Sequence, residues 1–165
     1  QVDEFIARAR EQYANFDQNV LPANRVRAVE FDLVHGGYDI AAVDAAIARL
    51  EDAFAAKEVK FELAAKGEYA VIDKYERIKD LLFSRVERPR GQKFSRVQWI
   101  MRGYNRKQVD KLCNLILEHL VNGEALTMSE VRRIVFSAQR GGYAENQVDA
   151  FIDRVIQILH IERNS

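Results

Sequence analysis

Three histidines, one cysteine and twenty-five carboxylates are the side chains from which this sequence would have to build a reactive centre. His35, His119 and His160 share no helical spacing, so they do not form the paired ligands of a His-Glu-x-x-His metal site. No Gly-x-Ser-x-Gly turn or phosphate-binding glycine loop is present. Cys113 stands among Leu112, Leu115, Ile116 and Leu117 with no histidine near it in sequence, the setting of a small core residue rather than of an activated thiolate. His35, ahead of Gly36 and Gly37, fits a cation near a helix C-terminus. The carboxylates fall at helix caps and on charged helix faces. The sequence predicts no catalytic residue, no cofactor and no metal, and no small-molecule substrate.

A second group of residues offers binding chemistry. Between residues 84 and 107 there are eight basic side chains, among them Arg96, Arg102, Arg106 and Lys107, against the single acid Glu87. Phe94, Trp99, Met101 and Tyr104 lie among them. Residues 1–70 hold eight bases and thirteen acids, so the net charge of zero hides a basic belt. Three readings stay open. The belt docks on the acidic first half of the chain, with Trp99 at a helix-packing position and buried. Alternatively it meets an anionic bilayer, where a basic residue contributes about 1 kcal/mol. Or it holds an acidic protein or a nucleic acid, the last disfavoured by the zero net charge. The contact residues would be Arg96, Trp99, Met101, Arg102, Arg106 and Lys107. The membrane reading requires Trp99 and Met101 to be exposed.

The elements that position these residues are helical. Two prolines and eight glycines punctuate 165 residues, a length that buries roughly 70% of the unfolded surface when compact. Cutting at the breakers predicts helices over 2–19, 24–34, 39–66, 68–88, 95–101, 106–121, 129–139 and 145–161, with no strand. In the last, Val148, Phe151, Ile152, Val155, Ile156, Ile158 and Leu159 make a stripe wide enough for two neighbours. Thr127-x-x-Glu130 and Ser95-x-x-Gln98 read as capping boxes, Asn105-x-x-Gln108 repeats the pattern, and Asp39 and Asn105 read as N-caps. No stretch is apolar enough for a membrane span, the start Gln1-Val2-Asp3-Glu4 is not a signal peptide, and one unpaired cysteine suits a reducing compartment. The expected location is the cytoplasm, reaching the inner face of the membrane on the membrane reading.

The chain repeats itself. Gly37-Tyr38, Gly103-Tyr104 and Gly142-Tyr143 are each followed, after four residues, by Val-Asp: Val43-Asp44, Val109-Asp110 and Val148-Asp149. Gln1-Val2-Asp3-Glu4-Phe5-Ile6 matches Gln147-Val148-Asp149-Ala150-Phe151-Ile152, so a further copy begins mid-motif and its Gly-Tyr half is expected before residue 1. Upstream, Val26-Arg27, Phe31 and Gly36-Gly37 match Val131-Arg132, Phe136 and Gly141-Gly142, whereas the middle copy has Trp99 only five residues before its tyrosine, reading as a loop two residues shorter. The expected architecture is all-α: tandem helix–glycine turn–helix repeats, three full and one truncated. The divisions are 1–22 (truncated repeat), 23–66, 67–92 (inserted helix and linker), 93–123 and 124–165. Each turn should hold a glycine at positive φ, and Gly37, Gly103 and Gly142 should be harder to replace than Gly67 or Gly123. The three valines should be buried at equivalent places. The tyrosines and aspartates read either as local architecture or as a recognition surface.

The repeat resembles the N-terminal domain of the DivIVA family, best in the last copy: Leu126-Thr127, Val131, Phe136, Gly142-Tyr143, Val148-Asp149 and Phe151-Ile152. Glu87-Arg88-Pro89, Gly91, Lys93-Phe94 and Gln139-Arg140-Gly141-Gly142-Tyr143 are similar to the actinobacterial members that carry the domain in tandem. The resemblance implies a non-enzymatic scaffold linked to bacterial cell division or polar growth. It also implies protein partners, the chain itself among the candidates, and a coiled-coil tail that this chain lacks. It further implies a membrane contact through a Phe-Arg pair ahead of the Gly-Tyr turn. His35-Gly36 and Arg140-Gly141 depart from that pair, and Met101-Arg102 keeps an apolar-basic version.

Overall fold

A computed structural model describes residues 1–15 and 21–164; part of the expected helix over 2–19 lies outside the described residues. The chain divides into two units, Gln1–Gly67 and, apart from the last two residues, Glu68–Arg163. Seven helices and one two-stranded sheet are present among the described residues, and no described helix is long and apolar enough to cross a membrane.

The first unit holds α1 (Val2–Ala14), α2 (Ala23–Arg27) and α3 (Ile40–Lys66). The 27 residues of α3 run without a glycine or proline. Asp39 starts it as an N-cap by accepting the Ala42 N–H at 2.9 Å. Ala9, Ala23, Val26, Ile47, Phe54 and Ala55 form the buried centre, with Phe5, Phe31 and Val43 packed beside it. Phe5 and Phe31 meet edge to face at 5.8 Å, and so do Tyr13 and Phe54 at 5.5 Å. The Glu58 carboxylate accepts the Ala23 N–H at 2.7 Å, satisfying one open donor at the start of α2.

The second unit holds α4 (Glu68–Val86), β1 (Arg102–Tyr104), α5 (Arg106–Asn122), α6 (Met128–Arg132), β2 (Ala138–Arg140) and α7 (Glu145–Asn164). Asn105 caps α5, accepting from the N–H groups of Lys107 and Gln108, and Thr127 with Glu130 forms the reciprocal box at α6. Every residue of the expected α7 stripe is buried, as are Val109, Leu112, Cys113 and Ile116 on α5. The Tyr75 hydroxyl on α4 and the His119 ring on α5 both bond to Glu162 of α7, at 2.9 and 3.0 Å.

Several expectations give way. The helices expected over 24–34 and 129–139 stop at Arg27 and Arg132. Residues 95–101 form no helix, so Ser95 is no cap. Its N–H instead donates to the Gln147 side chain at 3.0 Å. The freed segments become strand and turn, with β1 and β2 antiparallel and Arg102, Gly103 and Tyr104 opposite Arg140, Gln139 and Ala138. The physical reason is that the backbone groups of 95–104 pair with residues of 137–144, far along the chain, which helical periodicity does not register. Gln108 likewise does not close a box on Asn105; its carbonyl oxygen accepts the Ser137 N–H at 2.8 Å.

Candidate functional site

The Gly-Tyr…Val-Asp motifs meet in pairs. In the second unit the Tyr143 hydroxyl donates to Asp110 at 2.8 Å, and burial together with the nearby Asp149 carboxylate raises the Tyr104 phenol. Each tyrosine therefore reaches the aspartate of the other motif. The backbones exchange two bonds, Tyr104 N–H to the Tyr143 oxygen at 3.0 Å and Tyr143 N–H to the Tyr104 oxygen at 2.9 Å. This approach is so close that a β-carbon on Gly103 would stand 2.2 Å from the Tyr143 oxygen, and one on Gly142 would stand 2.5 Å from the Tyr104 oxygen. Neither glycine has positive φ; the turns put Gly36 and Gly141 there instead, and the middle turn has none. The expectation of a left-handed glycine in every turn thus fails at Gly103, where close approach is the reason for glycine.

Three matching bonds flank the pairs. The residue after each phenylalanine, Ser95 after Phe94, Ser137 after Phe136 and Asp32 after Phe31, donates its N–H to a glutamine carbonyl oxygen. These glutamines, Gln147, Gln108 and Gln1, each stand one residue before a Val-Asp pair. Phe94 meets Tyr143 edge to face and Phe136 meets Tyr104 at a tilt, with centroids 5.4 and 5.1 Å apart. Phe94 rather than Trp99 is therefore the counterpart of Phe136, and the middle loop is longer than its relatives, not shorter.

The three copies do not share one environment. Val109 and Val148 are fully buried, whereas Val43 is half-buried. Tyr143 is 0% exposed and Tyr38 is 63% exposed, its hydroxyl donating to Asp3 at 2.8 Å. Asp110 is buried and takes the Gly91 N–H at 2.8 Å besides the Tyr143 hydroxyl; Asp44 is exposed. Burial pushes the Tyr143 phenol up to about 12, opposed by the Lys93 N–H it accepts and reinforced by Asp110. Tyrosine in an unfolded chain titrates near 10, so the folded state holds its proton longer. Stability is then full below about pH 10 and is lost as pH rises through about 12. Alkaline unfolding curves should show this loss, and Tyr143→Phe should flatten it between those values. An unchanged curve would mean that the phenol titrates freely.

The basic belt separates into two parts. Lys93 is 5% exposed and donates to the carbonyls of Val86 and Arg88, which makes it a structural residue. Arg96 donates to the Gly91 oxygen at 3.0 Å, and its guanidinium and that of Arg106 both reach the space beside Gly91. Lys107 is exposed in the first turn of α5. Trp99 is not at a helix-packing position. It occupies a tight turn closed by the Met101 N–H on the Gln98 oxygen at 2.8 Å, and the Gly141 N–H donates to the Met101 oxygen at 3.0 Å. Trp99, Ile100 and Met101 are 76%, 62% and 54% exposed. Arg102 follows directly and lies opposite Arg140 in the ladder, both exposed.

Ile100 and Arg140 were not among the sequence candidates. Arg140 lies outside the belt in sequence and joins it only through strand pairing. Leu33 and Val34 were missed as well. They are exposed at 81% and 69% just ahead of His35-Gly36, so the first copy does carry apolar side chains at its turn, and His35 lies in that loop, well past the helix C-terminus it was expected to stand near. Burial pushes the Cys113 thiol up to about 12, which leaves it protonated and unreactive at neutral pH. No cluster of metal-ligating side chains occurs among the described residues. Comparison with protein-family models, curated proteins and solved structures gives no match.

Proposed function

We propose that this chain is a non-enzymatic interaction module whose second unit meets an anionic membrane surface through the turn at Trp99, Ile100 and Met101. The observation that carries this reading is that turn: three consecutive large apolar side chains exposed beside Arg102 and Arg140. Exposed apolar groups of this size are costly in water and are at home at a headgroup boundary, tryptophan above all. Like charges directly opposite on a ladder repel one another, and an anionic surface relieves that repulsion. Arg96 and Arg106 add charge in the same unit, each worth about 1 kcal/mol near such a surface. The resemblance to the DivIVA family supports a scaffold role in bacterial cell division or polar growth. On this reading the module works in the cytoplasm, at the inner face of the membrane, with protein partners of its own.

Trp99 is the sole tryptophan, so its fluorescence reports the contact directly. Vesicles rich in phosphatidylglycerol should shift its emission to the blue and sediment with the chain, and phosphatidylcholine vesicles should do neither. Binding should fall with salt, since charges are screened over about 8 Å at physiological strength. Met101→Ala should weaken binding through lost apolar insertion, and Arg102→Ala should chiefly reduce the salt dependence. No emission shift at low salt with anionic vesicles would refute the reading.

A further inference from the structure

The first unit carries half of an arrangement that the second unit shows whole. In the second unit three bonds tie two motifs together, Ser95 to Gln147, Ser137 to Gln108 and Tyr143 to Asp110, and the Asp149 carboxylate acts on the Tyr104 hydroxyl. In the first unit only one side of this set is filled. Asp32 N–H meets the Gln1 side chain at 3.2 Å, and the Tyr38 hydroxyl meets Asp3 at 2.8 Å. Phe31 meets Phe5 as Phe94 meets Phe151, at 5.8 and 5.3 Å. Gln1, Asp3 and Phe5 thus stand where Gln147, Asp149 and Phe151 stand, and Asp32 and Tyr38 where Ser95 and Tyr104 stand.

The other side is open. Asp44, the counterpart of buried Asp110, is exposed, and Val43 is half-buried where Val109 is fully buried. A β-carbon on Gly37 would meet only Val34, whereas one on Gly103 would strike the facing Tyr143 backbone. Around this vacancy is a groove of about 930 Å³, lined by Val2, Asp3, Phe31, Tyr38, Val43 and Asp44 among others. Their counterparts in the second unit include Phe94, Tyr104 and Asp110, which surround Tyr143.

We propose that this groove is a docking site for a Gly-Tyr turn segment of the same kind as residues 137–144, supplied from outside residues 1–165. Its tyrosine hydroxyl donates to Asp44, its backbone exchanges a bond pair with Tyr38, and its ring packs on Phe31. The inference concerns a different unit from the membrane contact and stands independently of it.

The test duplicates residues 124–146 ahead of Gln1, so that Asn146 joins Gln1 as it joins Gln147. Amide hydrogen exchange at Tyr38 should slow at least tenfold relative to the unextended chain. Replacing the duplicate's tyrosine by phenylalanine, or Asp44→Asn, should remove most of that gain. A second measurement adds the free 124–146 peptide to the unextended chain. Amide shifts in the NMR spectrum should concentrate at Tyr38, Val43 and Asp44. Unchanged exchange at Tyr38 together with no shifts at these positions overturns the proposal. So does protection that survives both substitutions, which would mark nonspecific collapse. An unextended chain that sediments as a dimer with Tyr38 already protected also overturns it, assigning the groove to a second copy.

Discussion

Gly103→Ala should destabilise the second unit by about 3 kcal/mol or more, while Gly67→Ala should cost about 1–2 kcal/mol. The two glycines fail for different reasons. Gly67 closes α3 at φ +81° with nothing near its missing β-carbon, so only backbone strain opposes a side chain. Gly103 has an ordinary φ, but its β-carbon would lie 2.2 Å from the Tyr143 carbonyl oxygen, far inside contact distance. Relief requires the backbones to part, and parting lengthens both bonds between Tyr104 and Tyr143, at 3.0 and 2.9 Å. Each such bond contributes about 1 kcal/mol and strands a buried partner when broken. Overpacking adds about 1–3 kcal/mol. Urea unfolding followed by helical circular dichroism measures both variants. A Gly103→Ala loss no larger than that of Gly67→Ala would refute the close-approach argument.

The sequence reading of Gly103 as hard to replace rests on the wrong cause, and the difference shows what a sequence carries. Helices were legible where an apolar period and a cap coincide, Asp39 with α3 and Asn105 with α5; Thr127 marked the start of α6 but not its end, and the seven-residue stripe marked α7. The segments that became β1, β2 and the Trp99 turn were not, because their backbone partners lie some 40 residues away, and no local pattern announces a bond between chain-distant peptide groups. Short range, the run 95–101 has the start and spacing of a helix; the Gly141, Gly142 and Ala144 backbones outbid it.

The candidate site divides along the same line. The motif spacing located every tyrosine and aspartate that meets across motifs, yet nothing in it paired the tyrosine of one motif with the aspartate of another. The basic belt was legible as charge, but Lys93 turned inward and Arg140 came in from elsewhere. Burial is a property of the assembled unit, which is why one motif position yields an exposed Asp44 and a buried Asp110.

That pair gives the second large effect. Asp110→Ala should cost about 3 kcal/mol, and Asp44→Ala less than about 0.5 kcal/mol. Asp110 is 3% exposed and accepts the Tyr143 hydroxyl and the Gly91 N–H, both at 2.8 Å. Alanine leaves both donors without this acceptor in a water-poor setting, at about 1–3 kcal/mol for each. It also removes a negative charge from the surroundings of Cys113, where the buried Lys93 ammonium acts as well. Asp110→Asn retains an acceptor for Tyr143 but confronts one N–H group with another at Gly91, so its loss should fall between the other two. With the charge gone, Tyr143 no longer has Asp110 holding its proton, and its phenol should ionise at lower pH in Asp110→Asn than in the unaltered chain. Ultraviolet titration of the tyrosines reads that change separately from stability. A loss below about 1 kcal/mol for Asp110→Ala would mean that water replaces the carboxylate at no cost and that the cross-motif bond does not hold the unit together.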